Sequence, residues 1–480
     1  MKLKALFTVF LFVIVYTNAQ VTIDVNKTKQ VIDGFGASTA WHGVLTTTEA
    51  DAAFKNENMN QMGLSILRVR ISPNSSDWSG WANEKVNAQK AKAAGALILA
   101  SPWSPPAALK TNNSTTGGEL KTESYASYAS HLKSFCTYLG NVDVISIQNE
   151  PNIQVEYESC DWKPDQLLDF CKNYASKIGT PVMMPEAYNF DWKYSDPILN
   201  DSTASSHVEY IGGHIYGTTA KKYTNAINKG KKIWMTEHYY NGDTIEECLR
   251  MAREIAECMN SDMNAYVWWW LRQPGCNLMN AGGTLKKKGY TMAQFSKFVR
   301  PGYFRLDATF QPSSGVFVVA FKGSEQNVIV VVNQNKTTQY QTFIFRNHPV
   351  NQVRKYVTTS TKNINDEGTI QCSGNIFKDI FEPQSITTYV TVNSVTGINP
   401  VNTSETRVFP NPFYDEVNIQ LKGFKADADI QVLTSAGQLV LHKKTANEDQ
   451  IKIGSSLNRG MYIVKITDGE KQLTYKIIKQ

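Results

Sequence analysis

Past residue 20 the sequence has no stretch of about eighteen consecutive apolar residues, the length a helix needs to span a bilayer, so no transmembrane segment is expected. It also lacks a basic block. The net charge of +6 is scattered over 480 residues, which offers a phosphate backbone nothing to follow, and nucleic-acid binding is set aside. No glycine-rich phosphate loop follows the first strand-like segment, which argues against a doubly wound nucleotide-binding sheet. Cysteine is scarce. Cys136, Cys160, Cys171, Cys248, Cys258, Cys276 and Cys372 are odd in number, and their spacing fits neither a dense disulfide scaffold nor a zinc cluster. They read as small buried apolar side chains, with one disulfide left open if the compartment is oxidising. Hydrophobic residues at 42% and charged residues at 19% exclude a disordered chain.

What is present divides the chain into parts. Residues 1–19 run from Lys2 and Lys4 through an apolar stretch to Thr17, Asn18 and Ala19, the layout of a secretory signal cleaved after Ala19. The mature protein is therefore expected outside the cytoplasm. From 33 to 301, short apolar runs alternate with helix-like stretches, the pattern of repeated βα units around a parallel sheet. The strand candidates are 34–38, 64–71, 96–101, 142–148, 181–185, 210–216, 232–236 and 264–270, and eight of them predict a (β/α)8 barrel. Over 302–392 the texture changes to β-rich runs without helical period, which reads as a β-sandwich. Residues 20–32 also alternate and are expected to add a strand to that sandwich. A linker rich in Asn, Thr, Ser and Pro covers 393–405, and a small all-β unit covers 406–480.

Two glutamates stand out. The segment VDVISIQNEP places Ser146, Gln148 and Glu150 on one face of a strand by its period of two, with Glu150 at the C-terminal rim and Pro151 ending the strand. The segment KIWMTEHYY brings Glu237 to the same rim. Catalytic groups of a (β/α)8 barrel sit at that end. Breaking a glycosidic bond needs a proton for the leaving oxygen and an anion for the oxocarbenium-like centre, and paired carboxylates supply both. A separation of about 5–5.5 Å would make one of them a nucleophile. Arg68 and Arg70 share a strand face and are candidates for keeping a carboxylate charged, or else form a surface ion pair. His238 is assigned a packing or hydrogen-bonding role, and His214 and Tyr216 are expected along the cleft. Aromatics make up 11% of the chain, and Trp103, Tyr157, Tyr216 and Trp269 lie at or after strand ends, where their rings suit sugar faces.

Residues 21–392 resemble glycoside hydrolase family 30, and the barrel is similar to its bacterial xylanase subfamily. The resemblance rests on GFGAS at 34–38, LRVRISP at 67–73, ASPWSPPAALKTN at 100–112, IQNEP at 147–151, GGHIYG at 212–217, WMTEHYY at 234–240 and YVWWWLR at 266–272. It implies Glu150 as acid/base, Glu237 as nucleophile, Asn149 as a donor to the sugar 2-hydroxyl, and substrate contacts from Trp103, Tyr157, Tyr216, Trp269 and Arg272. It implies secreted, retaining cleavage of β-1,4-xylan, with no metal or organic cofactor and a monomeric enzyme. The alternatives are another β-glycosidase of the family, a β-1,6-glucanase or glucosylceramidase-like enzyme, and a non-catalytic carbohydrate-binding surface protein. One departure is informative. Family members that demand a glucuronate branch follow the tryptophan pair with two arginines and a tyrosine, whereas this chain reads Leu271-Arg272-Gln273-Pro274-Gly275. Losing a guanidinium removes a charge-assisted bond worth about 1.5–3 kcal/mol, so weak or absent dependence on glucuronate is expected. Residues 406–480, with VFPNPFYDEVNIQL, LTSAGQLV and LNRGMYIVKI, resemble the C-terminal sorting domain of type IX secretion, which implies the secretion machinery as a partner.

Overall fold

The computed structural model describes residues 20–76, 80–392, 408–421, 427–434, 437–446, 448, 450–468 and 472–480. The expected leader at 1–19 and linker at 393–405 lie outside the described residues. The chain divides into two units, residues 1–393 and 394–480.

In the first unit eight parallel strands close into a barrel: β2 (Gly34–Ser38), β3 (Ile66–Ile71), β4 (Leu97–Pro102), β5 (Val144–Ser146), β6 (Val182–Ala187), β7 (Tyr210–His214), β8 (Lys232–Glu237) and β9 (Ala265–Trp270). Alternation sorts their side chains. Ile66, Leu99, Val144, Met183, Trp234, Ala265 and Val267 fill the barrel floor, while their sequence neighbours Leu67, Ile98, Ile145, Met184, Ile233 and Met235 pack outward beneath the helices. Above the floor the inward positions turn polar: Arg68 and Arg70 on β3, Ser101 on β4, Ser146 on β5 and His214 on β7 are all buried. A (β/α)8 barrel carries its site at that end, so the sequence pattern and the fold agree on where chemistry belongs.

Strand β5 is shorter than the expected 142–148. Beyond Ser146 the backbone leaves the ladder, and its amides find other partners: Asn149 N donates to the Pro102 carbonyl (2.8 Å) and Glu150 N to the Glu186 carbonyl (3.0 Å).

The N-terminal strand β1 (Gln20–Val31) does join the side domain. It lies between β10 (Phe304–Ala308), antiparallel, and β13 (Gln339–Arg346), parallel. With β11 (Val316–Lys322), β12 (Asn327–Asn333), β14 (Gln352–Thr358), β15 (Asn365–Gln371), β16 (Ile376–Phe381) and β17 (Ser385–Val392) it makes one nine-stranded sheet in the order β15-β14-β17-β12-β11-β10-β1-β13-β16. The sheet folds over itself, so Phe343 and Phe377 reach Tyr389 at ring distances of 5.5 and 5.1 Å. Alternation on β11 then serves two cores at once. Val316, Val318 and Ala320 face the sandwich interior, and Phe317, Val319 and Phe321 join the barrel core. Barrel and sandwich thus share buried apolar surface, at about 1.5–3 kcal/mol per large side chain.

The second unit has two small sheets, one of β18 (Val408–Phe409), β19 (Val417–Gln420) and β22 (Gln450–Ile453), the other of β20 (Asp429–Thr434), β21 (Leu439–Lys444), β23 (Gly460–Thr467) and β24 (Gln472–Lys479). Phe413 of the Asn-Pro-Phe turn is fully buried in its core. Gly454, at φ 117°, lies against that ring, and a Cβ there would sit 2.4 Å from it.

All seven cysteines are unpaired, five of them buried and Cys136 and Cys372 half-buried. This is the small-apolar role read from their spacing.

Candidate active site

Three β-bulges shape the barrel rim. Strict alternation from Trp234 would aim residue 236 inward and Glu237 outward. The register between β7 and β8 slips between Gly213–Met235 and His214–Glu237, and the extra residue turns the Glu237 carboxylate into the barrel mouth. A second slip, between Pro185 and Ala187 on β6, carries Glu186 with φ 50° and aims it inward as well. The third, on β9, falls between Trp268 and Trp270 opposite β2. Glu150 reaches the mouth differently. It lies four residues past β5 with φ 48°, so it does not share a strand face with Gln148 as the alternation implied. Gln148 instead donates to the carbonyls of Trp103 (2.7 Å) and Asn149 (2.9 Å) and accepts from the Trp162 indole (3.3 Å).

Glu150 and Glu237 meet with His214 between them: a carboxylate oxygen of each and a ring nitrogen of His214 all lie within 4.8 Å of one another. Glu237 accepts from the Arg68 guanidinium through Oε2 (2.5 Å) and from the Tyr216 hydroxyl through Oε1 (2.9 Å). Glu150 accepts from the Tyr157 hydroxyl through Oε2 (2.9 Å), and its Oε1 lies 2.9 Å from His214 Nδ1. Both glutamates are nearly buried, at 4% and 5% exposure, which amplifies every charge around them.

The electrostatics follow from this packing. Burial pushes the Glu237 carboxyl up; His214 and Arg68 pull it back down, and Glu150 adds to the rise. Burial alone would lower His214, but Glu237, Glu150 and Glu186 raise it to about 9. The same pattern holds for Arg68, which burial opposes and the surrounding carboxylates reinforce. Burial and the nearby glutamates push both Tyr157 and Tyr216 up, so the two phenols remain proton donors. Three ligand-type side chains at this spacing could face a cation, but Arg68 already neutralises Glu237, and the short contact between His214 and Glu150 holds a proton. The donor set suits proton transfer better than metal binding.

The other expected residues are placed as follows. Asn149 accepts from Arg68 Nη2 through Oδ1 (2.6 Å), which fixes the amide beside Glu237. Trp103 is buried and stacks on the Arg68 guanidinium at 4.6 Å, with Trp41 against its edge. It is the wall behind the cation, and the open platform expected there is absent. Trp269 is also nearly buried, within 6.1 Å of Trp41 and 5.5 Å of Trp103, while Tyr157 is half-exposed. Arg272 stands apart from the carboxylates: it donates to Glu49 Oε1 and the His42 carbonyl, both at 2.6 Å, on the wall of a cavity of about 390 Å³ that Gln273 also lines. Arg70 pairs with Glu158, whereas Arg68 pairs with Glu237. His238 points outward to Glu254 (2.8 Å), the hydrogen-bonding role expected of it.

Glu186 and Tyr188 were not anticipated. Tyr188 stacks on Tyr216 at 5.0 Å. Glu186 is fully buried and lies 3.1 Å from Arg68. Its only sequence signal is an acidic residue directly after a strand candidate that ends at Pro185.

Known proteins are similar to this chain over most of its length. Glucuronoxylanase XynC of Bacillus subtilis (strain 168) is 39% identical over 393 residues, covering 78% of this chain and 92% of that protein. The family 30 subfamily 8 xylanase Xyn30A of Clostridium acetobutylicum superposes with a TM-score of 0.74 at 42% identity, covering 78% of this chain and 99% of that one. The chain belongs to glycoside hydrolase family 30. The family 30 endoxylanase of Clostridium papyrosolvens C71 is similar too, with a TM-score of 0.72 at 37% identity over 78% of this chain. Residues 407–480 match the secretion system C-terminal sorting domain, so this family 30 protein carries its own export tail and is secreted by the type IX route. Among the described residues no helix is long and apolar enough to cross a membrane.

Proposed function

We propose that the protein is an endo-β-1,4-xylanase that works by retaining double displacement, with Glu237 as nucleophile and Glu150 as acid/base. One observation carries the assignment: an oxygen of Glu150 and an oxygen of Glu237 lie within 4.8 Å of each other in one barrel mouth, a closeness that suits the carboxyl separation of about 5–5.5 Å used by retaining enzymes. Arg68 divides the roles: its permanent positive charge donates to Glu237 Oε2 while the Tyr216 hydroxyl donates to Oε1, the setting of an anion. The Glu237 carboxylate attacks the anomeric carbon while Glu150 passes its proton to the departing glycosidic oxygen. The Glu150 carboxylate then takes a proton from water, whose oxygen displaces Glu237 from the sugar. Asn149, held through Oδ1 by Arg68, offers its NH2 to the 2-hydroxyl. Tyr157, Tyr216 and Trp269 line the sugar path, while the buried Trp103 backs Arg68.

The names of the relatives favour xylan as the substrate. The chain's own residues favour neutral or unbranched stretches of it, because Gln273 is uncharged and Arg272 is already committed to Glu49. A single chain supplies both carboxylates, so the monomer is sufficient. Glu237→Ala should abolish xylan hydrolysis while polymer binding persists, and the first-formed sugar end should be the β anomer by NMR. An α product, or turnover unchanged in the variant, rejects the mechanism. Unbranched and arabinose-bearing xylans should be cut about as well as glucuronoxylan, and strict dependence on the acidic branch would overturn the specificity reading.

A further inference from the structure

Among the described residues, Arg68 and His214 are the cationic side chains that touch the reacting pair, and each has a second carboxylate behind it. Glu186 Oε1 lies 3.1 Å from Arg68 Nη2 and 3.9 Å from His214 Nε2, on the side away from Glu237 and Glu150. The fold makes specific room for it. The bulge on β6 and the left-handed backbone at φ 50° turn its side chain inward, and a Cβ on Gly212 of β7 would come within 3.1 Å of its Cγ. Its main chain is committed too, since the Glu186 carbonyl accepts the Glu150 amide at 3.0 Å. A buried carboxylate this costly is retained only where it is paired, and here both partners are groups that hold the catalytic carboxylates.

We propose, resting on the roles assigned to Glu150 and Glu237, that Glu186 is a positioning residue: it balances the charge of Arg68 and His214 so that Arg68 stays against Glu237 while His214 carries a proton on both ring nitrogens, Nε2–H toward Glu186 and Nδ1–H toward Glu150. His214 faces Glu150 from the loop after β5, Glu186 from β6, Glu237 from β8 at 4.0 Å, and the Tyr216 ring from its own loop. Glu186 faces Arg68 from β3, Ser146 from β5 and His214 from β7. Three carboxylates share two cations. Burial would raise Glu186, yet Arg68 and His214 bring it down to about 2, so it keeps its charge throughout the working range. An imidazolium donating to Glu150 stabilises the carboxylate that forms as the proton passes to the leaving oxygen.

Glu186→Gln keeps the shape and removes the charge. His214 then loses its proton from Nε2, Glu150 becomes the weaker acid, and the alkaline limb of kcat/KM moves up by about one pH unit. Hydrolysis of xylan, whose leaving group needs the proton, should fall on the order of tenfold. Hydrolysis of a xylo-oligosaccharide with an activated aryl leaving group should fall much less, and Glu186→Asp should recover part of the loss. A purely structural role would lower both substrates together and leave the limb in place, and that result overturns the proposal. If Glu186→Gln fails to fold, nitrogen-15 NMR of the histidine rings in the wild-type enzyme decides: His214 protonated on both nitrogens at pH 7 supports the proposal, and a neutral His214 rejects it. A wild-type enzyme inactive on both substrates would instead count against the xylanase assignment itself.

Discussion

The most demanding test of the site is Arg68→Gln. The wild-type guanidinium is fully buried and makes four polar contacts: Glu237 at 2.5 Å, Asn149 at 2.6 Å, and Ser101 and Glu186 each at 3.1 Å. A neutral, shorter amide can keep one of them. Losing the guanidinium leaves the buried Glu186 and Glu237 to share His214, and breaking a buried pair costs about 3–5 kcal/mol of stability. Catalysis suffers separately. One charge-assisted bond to the nucleophile is worth about 1.5–3 kcal/mol, which converts to roughly a 10- to 150-fold fall in kcat/KM. The pH dependence isolates the electrostatic part. Arg68 favours the Glu237 anion, so its removal raises that carboxyl further, and the acid limb of kcat/KM moves to higher pH by about one to three units. Initial rates on xylan across the pH range in which the fold persists measure this. Arg68→Lys is the control: it keeps the charge and loses the fork, so it should lose rate while moving the limb much less. An unmoved acid limb in Arg68→Gln, with rate lost only in proportion to stability, would refute the claim that Arg68 keeps the nucleophile ionised.

Two further outcomes follow from the same packing. Ile23 of β1 is fully buried in the sandwich core, so Ile23→Ala should lower stability by about 2–5 kcal/mol, read as a drop in the thermal midpoint of the first unit, although the position is far from either glutamate in sequence. Glu84 is buried behind the rim and accepts from Thr39 Oγ1 (2.8 Å) and Arg70 N (3.1 Å); burial raises its carboxyl from 4.5 to about 7. A folded-state value above the unfolded one favours the folded state at low pH. That contribution should be complete below about 4.5 and should fade as pH rises through about 7, and denaturant midpoints for Glu84→Gln should lose this part of the pH dependence.

Much of this architecture is legible in the sequence. Eight apolar runs predict the barrel because a β-strand's period of two is written directly into its sequence, and Leu67, Val69, Ile98 and Ile145 repeat it cleanly. Alternation in 20–32 likewise predicts that the N-terminal strand joins the sandwich. Glu150 and Glu237 can be found because a carboxylate after an apolar strand has few structural uses. The remainder depends on contacts across the barrel. Nothing local distinguishes Arg68, which holds Glu237, from Arg70, which holds Glu158; the difference is which neighbouring strand each faces. Trp103 resembles a sugar platform because aromatic residues at strand ends often are, but the guanidinium stacked on it needs that face.

The deeper reason lies in the bulges. A period-two reading assumes that parity is conserved to the end of each strand, and on β6 and β8 the extra residue reverses it just where the side chains begin to matter. Applied strictly, the rule sends Glu237 outward with Met235, into the helix layer, where an anion would have no partner. Burial of that charge would be too costly, so the strand must break register wherever Arg68 can receive it. Parity therefore fails at the functional residues for a physical reason: the barrel floor rewards regular alternation, while the rim rewards whichever backbone brings three carboxylates around two cations. An acidic residue at the wrong parity, at or next to the last position of an apolar strand, is thus itself evidence for a bulge, and Glu186 and Glu237 both carry that mark.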